Sequence, residues 1–254
     1  MHPDPQPFDL PGDGRAAALC LHGLTGTPYE VRTLGEALSA AGGRAVGPWM
    51  HGHDGSPEQL ASVSCEAWVE GARARLHELL AEHETVFGVG VSMGGLVTLL
   101  LAAEEPVDAA VCIGVPLAFR QPVALLLPLA RYVVPFLEKK RGSDIRDAAA
   151  RARHPTMPVM PLASVHQLVR LQRRVRAALP RIRVPLLVAH GAHDGTADPA
   201  DADRIVAAVS SRERRRLLLE ESAHVVPVDH DGPALAREVV GFLERHRPGS
   251  LRQA

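Results

Sequence analysis

The sequence predicts an α/β protein built on an open, doubly wound, mostly parallel sheet. Three observations carry that expectation. Short apolar runs alternate with amphipathic stretches along most of the 254 residues. The runs are apolar at nearly every position, as in strands covered on both faces. The stretches between them are long enough for helices, and right-handed crossovers then place helices on both sides of one sheet.

Each element has its own local reason. The run AAALCL over 16–21 reads as a strand, and a loop and a helix over about 29–41 follow. Gly42-Gly43 ends that helix, because glycine accepts the left-handed backbone of a C-terminal cap. A second strand covers 44–48, and the segment MHGHDGSPEQL after it reads as loop. Ser64 can cap a helix to about 83, with Trp68, Ala72, Leu76, Leu79 and Leu80 on one face. Strands follow over 85–91 and 107–115, separated by a buried helix over 94–104. Helices over 165–179, 199–209 and 233–245 alternate with strands over 184–190 and 215–220, for about six strands in all. The alternation breaks only between 116 and about 164, which reads as an insertion with at least two helices and no strand. Its later part, 139–153, reads as a charged, exposed and mobile edge.

Composition excludes several classes of function. Hydrophobic residues make up 46% and charged residues 22%, the proportions of a soluble globular domain. The 28 Lys+Arg against 29 Asp+Glu leave a net charge of −1, so no basic face for nucleic acid is expected. Aromatics are only 4%, which argues against stacking platforms and for an aliphatic interior. Cys20, Cys65 and Cys112 form no Cys-x-x-Cys pair; the first and last sit in strand-like runs and are expected in the core. The run 115–137 has the length of a membrane span, but it contains Arg120, Gln121, Arg131 and four prolines. No span is expected there. The N-terminus has no basic region followed by an apolar core, so a cytoplasmic location is the expectation.

Chemistry should lie in the turns after the strands, where ligands bind in such sheets. The strand TVFGVGV runs directly into Ser92 of Gly90-Val91-Ser92-Met93-Gly94, and a helical run follows. That is a Gly-x-Ser-x-Gly elbow in its strand–turn–helix context. A serine hydroxyl needs a base, and the base needs an orienting acid. On this fold the order is serine, acid, histidine. Asp194 follows the strand VPLLVAHG, and His224 follows RRRLLLEE. The rival acids have other readings: Asp198 as a helix N-cap, Asp201 and Asp203 as solvated helix positions. His190 and His193 flank the acid loop, and His230 lies on a polar loop. An oxyanion requires backbone N–H donors already in place. Met93, after the nucleophile, supplies one, and Leu24 in the early loop His22-Gly23-Leu24-Thr25-Gly26 the other. His22 reads as a brace of that loop, and Thr25 as a turn former or a hydroxyl near the site.

LCLHGLTGTP, GHDGSPEQL, GVSMGG, GAHDGTADP and ESAHVVPVD, in that order, resemble the α/β-hydrolase superfamily. The resemblance is nearest to small bacterial carboxylesterases and monoacylglycerol lipases, and spans about 16–243. Asp54 departs from a Gly-His-Gly pattern that the family often has there. The resemblance implies Ser92 as nucleophile, Asp194 as acid, His224 as base, and Leu24 and Met93 as oxyanion donors. It implies one domain over 1–254, with a helical cap inserted at 117–163. In that cap Phe119, Leu125, Leu126, Leu129, Val133 and Phe136 are candidates for an acyl pocket, or for packing the cap on the body. The implied function is hydrolysis of short- to medium-chain esters or monoacylglycerols through an acyl-enzyme, with no metal or organic cofactor. The expected partner is a small-molecule ester, without nucleic acid or a stable membrane span, and the protein a monomer or homodimer. An acyltransferase, thioesterase or lactonase could use the same residues, and a non-catalytic receptor could use the same fold.

Overall fold

A computed structural model describes residues 4–119, 127, 130–131, 133–140 and 142–247. In chain order the strands of its main sheet are β1 (Phe8–Leu10), β2 (Ala16–Leu21), β3 (Arg44–Gly47), β4 (Thr85–Val91), β5 (Ala109–Ile113), β8 (Leu186–Gly191) and β9 (Arg214–Leu219). They lie in the order β1-β3-β2-β4-β5-β8-β9. Every pairing is parallel except that of β1 with β3. This is the α/β-hydrolase fold: a mostly parallel central sheet with helices on both faces.

The all-apolar strands are explained by two-sided burial. Along β2, Ala17, Leu19 and Leu21 enter one core, while Ala16, Ala18 and Cys20 enter the other. Helices α1 (Tyr29–Ala40) and α8 (Gly232–Glu244) cover the second face with Val31, Leu34, Val239 and Phe242. The first face is covered by α3 (Cys65–Glu82), α4 (Met93–Glu104), α6 (Leu162–Ala178) and α7 (Ala200–Ala208). Trp68, Leu76, Leu96 and Leu171 are at most 1% exposed there. Ser64 caps α3 by accepting the Ala67 N–H, and Gly42, at a φ of 87°, ends α1.

Strand order also fixes where a ligand can sit. The chain runs from β2 outward to β3, then crosses back to place β4 on the other side of β2. The winding reverses between β2 and β4, and a crevice opens beyond their C-terminal ends. The loops carrying Leu24 and Ser92 leave those two strands.

Several expectations require correction. The main sheet has seven strands rather than six, because the three residues FDL add β1 as an antiparallel edge. The expected loop after β3 contains α2 (Pro57–Ser62), set by Ser56 and Gln59 in a reciprocal capping box. The excursion between β5 and β8 contains strands: β6 (Phe136–Glu138) pairs antiparallel with β7 (Val159–Pro161). Nor is 139–153 simply an exposed edge. It includes α5 (Ala148–Arg153), and Ile145 and Ala150 pack on Val225 in a small apolar cluster. Asp201 is not solvated: it is 1% exposed and accepts the Leu117 N–H where the excursion begins. Among the described residues no helix is long and apolar enough to cross a membrane.

Candidate active site

The loops after β2, β4, β8 and β9 meet at one edge of the sheet. Ser92 joins β4 to α4 with a φ of 54° and a ψ of −115°. A non-glycine residue in that region carries of order 1–3 kcal/mol of strain. The strain is held because Ser92 N donates to Ile113 O at 2.8 Å and the helix starts at once. Gly94 makes room: a Cβ there would lie 2.2 Å from the Leu21 carbonyl oxygen. The serine is thereby pushed above the sheet, under the loop that follows β2.

His224 brings Nε2 to 2.9 Å from Ser92 Oγ and Nδ1 to 2.7 Å from Asp194 Oδ2. A carboxylate accepts from Nδ1–H, so the Nε2 lone pair faces the hydroxyl. Asp194 has a fully buried side chain. Its Oδ1 accepts the N–H groups of Thr196 and Ala197, at 2.8 and 2.7 Å. Burial alone would raise its pKa, but His224, His190 and these N–H donors outweigh that and hold it well below the usual carboxylate range. For His224, burial pushes the imidazole pKa down and the Asp194 carboxylate pushes it up. The carboxylate prevails, so the pKa rises.

Of the other candidates, only His190 touches this relay among the described residues. His193 and His230 are exposed. His190 is buried with Nε2 2.8 Å from Asp194 Oδ2, and among the described residues it has no hydrogen bond to Ser92. Asp198 accepts the Ala200 N–H at the start of α7. His22 braces the early loop: Met50 N donates to its Nε2 at 3.1 Å, so Nδ1 carries the proton and donates to Gly23 O at 2.9 Å. The Gly23–Leu24 peptide is planar, so fixing that carbonyl also fixes the opposed Leu24 N–H. Thr25 has a φ of 62° and turns its hydroxyl onto Leu24 O. Among the described residues, no hydrogen bond leaves the backbone N–H of Leu24 or Met93.

A cavity of about 340 Å³ opens over Ser92 and His224. One wall is apolar, with Leu24, Phe119, Met160, Val165 and Leu168; the other carries Glu30, Lys139, His154 and Thr156. Phe119 is thus at the cavity. Val133 is not: it is 81% exposed, because it lies on the outer side of the excursion. Phe136 opens β6, half-buried, and is not on the wall. Leu125, Leu126 and Leu129 fall outside the described residues. Met160, Val165 and Leu168 line the cavity beside Phe119, and the apolar stripe of α6 was the signal for two of them. The polar wall had no local signal. Among the described residues no cluster of His, Cys, Asp and Glu could hold a metal ion.

Residues 12–231 match the Hydrolase_4 family, described as serine aminopeptidase, S33. The chain belongs to this family. As a Hydrolase_4 member it is a serine hydrolase. It is 30% identical over 241 residues to a thermostable monoacylglycerol lipase of Bacillus sp. (strain H-257), with 92% of each chain covered. It is 26% identical over 242 residues to a carboxylesterase of Bacillus subtilis (strain 168), covering 95% of this chain and 97% of that one. A solved structure reported for LipS and LipT, two metagenome-derived lipolytic enzymes, superposes with a TM-score of 0.90. The identity is 26%, with 97% of this chain and 100% of that chain covered.

Proposed function

We propose that the protein is a carboxylesterase that cleaves short- to medium-chain esters, monoacylglycerols among them, through an acyl-enzyme on Ser92. The observation that carries this reading is the relay Ser92 Oγ–His224 Nε2–Asp194 Oδ2, with steps of 2.9 and 2.7 Å, at the floor of a largely apolar cavity. Ser92 Oγ attacks the ester carbonyl carbon while His224 Nε2 accepts its proton. Asp194 holds the ring and stabilises the imidazolium. The N–H groups of Leu24 and Met93 receive the oxyanion. Collapse expels the alcohol, protonated by His224, and a water activated by the same nitrogen releases the acid. Residues 117–163 act as a cap that completes the cavity.

Ester hydrolysis is favoured over aminopeptidase chemistry, despite the family's description. Holding a peptide's α-ammonium requires an available carboxylate, whereas the two on the cavity lining are engaged: Glu30 by Gly23 N–H with His154 facing it, and Asp144 by Gly195 N–H and Thr196 Oγ1. The near-full-length relatives are named as a lipase and an esterase.

Turnover of p-nitrophenyl esters with acyl chains of two to sixteen carbons tests the reading. Each buried methylene contributes about 0.8 kcal/mol until the pocket is filled. The expected optimum is therefore at about four to ten carbons, with alanine p-nitroanilide at least ~100-fold slower. Equal turnover of all chain lengths, or faster anilide cleavage, contradicts it.

A further inference from the structure

Glu30 is a buried charge with no part in the relay. It sits in the first turn of α1, 5% exposed, beneath the loop that follows β2. Its Oε2 accepts the Gly23 N–H at 2.7 Å. The loop closes tightly around it: a Cβ on Gly26 would fall 2.1 Å from Oε1. The excursion supplies a counter-group, His154 Nε2, 3.3 Å from Oε1, and both side chains are at most 6% exposed. His154 is itself held through Nδ1 to Ser143 Oγ at 2.7 Å. Two further bonds tie the same segment to the loop, from Met157 N and Thr156 Oγ1 to Thr25 O, each at 2.9 Å.

A bare carboxylate beside a developing oxyanion opposes the reaction, so its presence needs a reason. Burial alone would raise the Glu30 pKa, yet His154, His22 and the Gly23 N–H lower it to about 2. The group is therefore ionised at neutral pH. Lys139, also on the polar wall, lies in the field of Glu30, and burial brings its ammonium down to about 8.

Gly23 explains what the charge does. Glycine has the widest backbone freedom of any residue, and this one precedes the Leu24 donor. Glu30 fixes the peptide before Gly23 through its N–H, and His22 fixes the peptide after it through its C=O. We propose that Glu30 is a positioning residue that aims the Leu24 N–H at the oxyanion, and that His154, standing 3.3 Å from its second oxygen, holds it there from the excursion. Seating the excursion thereby completes the oxyanion hole. The inference rests on Ser92 as nucleophile and Leu24 N–H as donor.

Removal of an oxyanion donor costs about 10²–10³ in kcat, so misaiming one should cost less. Glu30→Ala is expected to lower kcat by about 10- to 100-fold with KM within about threefold. Affinity for a trifluoromethyl ketone, which mimics the tetrahedral adduct, should fall in parallel, while inhibition by a fatty alcohol should hardly change. Glu30→Gln keeps an acceptor for Gly23 N–H and should cost only about threefold. His154→Ala leaves the carboxylate without its counter-group and should cost about tenfold; adding Glu30→Gln should restore activity to the level of Glu30→Gln alone. This last comparison needs no alanine at position 30, so it decides the matter even if Glu30→Ala does not fold. Unchanged kcat and ketone affinity in Glu30→Ala overturns the proposal, as do additive losses in the double variant. If Ser92→Ala is inactive while these variants are normal, only this inference falls. If Ser92→Ala is fully active, the reading beneath it falls too.

Discussion

The strand-end loops and the excursion between β5 and β8 carry the two halves of the site, and they are built differently. Ser92 and Asp194 stand on loops that leave the buried strands β4 and β8, and His224 follows the partly exposed edge strand β9. Asp194 alone receives donors from Thr196, Ala197 and His224. The excursion has small apolar clusters of its own, such as Leu127, Leu162 and Val169, and exposes Val133 and Leu137. Apart from α6, which packs on the sheet, and the contact of Ile145 and Ala150 with Val225, its anchoring is polar and goes to the loops. Asp144 accepts His224 N and Val225 N on its carbonyl, and Gly195 N and Thr196 Oγ1 on its carboxylate. Asp229 accepts Arg146 N and Asp147 N at 2.8 Å each. The contrast teaches a division of labour. On the proposed reading the sheet fixes the reacting atoms, and the excursion shapes the cavity while gripping the loops that hold them.

Substitutions can break or sharpen that division. The largest effect is expected within the sheet half: Asp194→Asn should lower kcat by about 10⁴-fold with the fold intact, because the amide favours the wrong His224 tautomer. A loss under tenfold would remove the acid's role. Asp144→Ala tests the grip of the excursion on the acid loop. It should lower kcat/KM by about tenfold, since small displacements of reacting groups are costly. Unchanged kinetics would mean that the excursion does not steady that loop. Phe119→Ala acts on the cavity alone. It should move the preferred acyl chain longer by about two carbons with kcat within about threefold, and an unchanged chain profile would take Phe119 off the acyl path. Val133→Ser, on the outer surface, should alter stability by at most about 0.5 kcal/mol and leave soluble-ester kinetics unchanged. A shifted chain profile there would contradict the position of Val133.

The same contrast governs what the sequence made legible. Ser92 could be read because its turn imposes a local requirement, glycines on both sides between a strand and a helix. Asp194 and His224 could be placed beside Ser92 because each follows a strand in the required order, β8 apolar throughout and β9 ending in three leucines. The parallel sheet was legible because burial on both faces leaves runs like AAALCL. The excursion escaped for physical reasons. Strands of three residues, like β6 and β7, are too short to set up an alternation. Asp144 finds Gly195 and Thr196 more than fifty positions away, and Glu30 finds His154 more than a hundred positions along the chain. In one dimension Glu30 reads as an ordinary acid in the first turn of a helix. Asp201 looked solvated because its partner Leu117 lies in another part of the chain.

The central claim is that Ser92 is a nucleophile activated by His224. The most direct test is the pH dependence of covalent labelling by a fluorophosphonate, with the adduct located by peptide mass mapping. A single adduct on Ser92 is predicted. Because Asp194 raises the His224 pKa, the ring stays protonated, and useless as a base, to higher pH than an ordinary histidine. The labelling rate should therefore climb with pH through an apparent pKa above 6.5, and the climb should be absent in His224→Ala. An unlabelled Ser92, or labelling as fast in His224→Ala as in the wild type, would contradict the account.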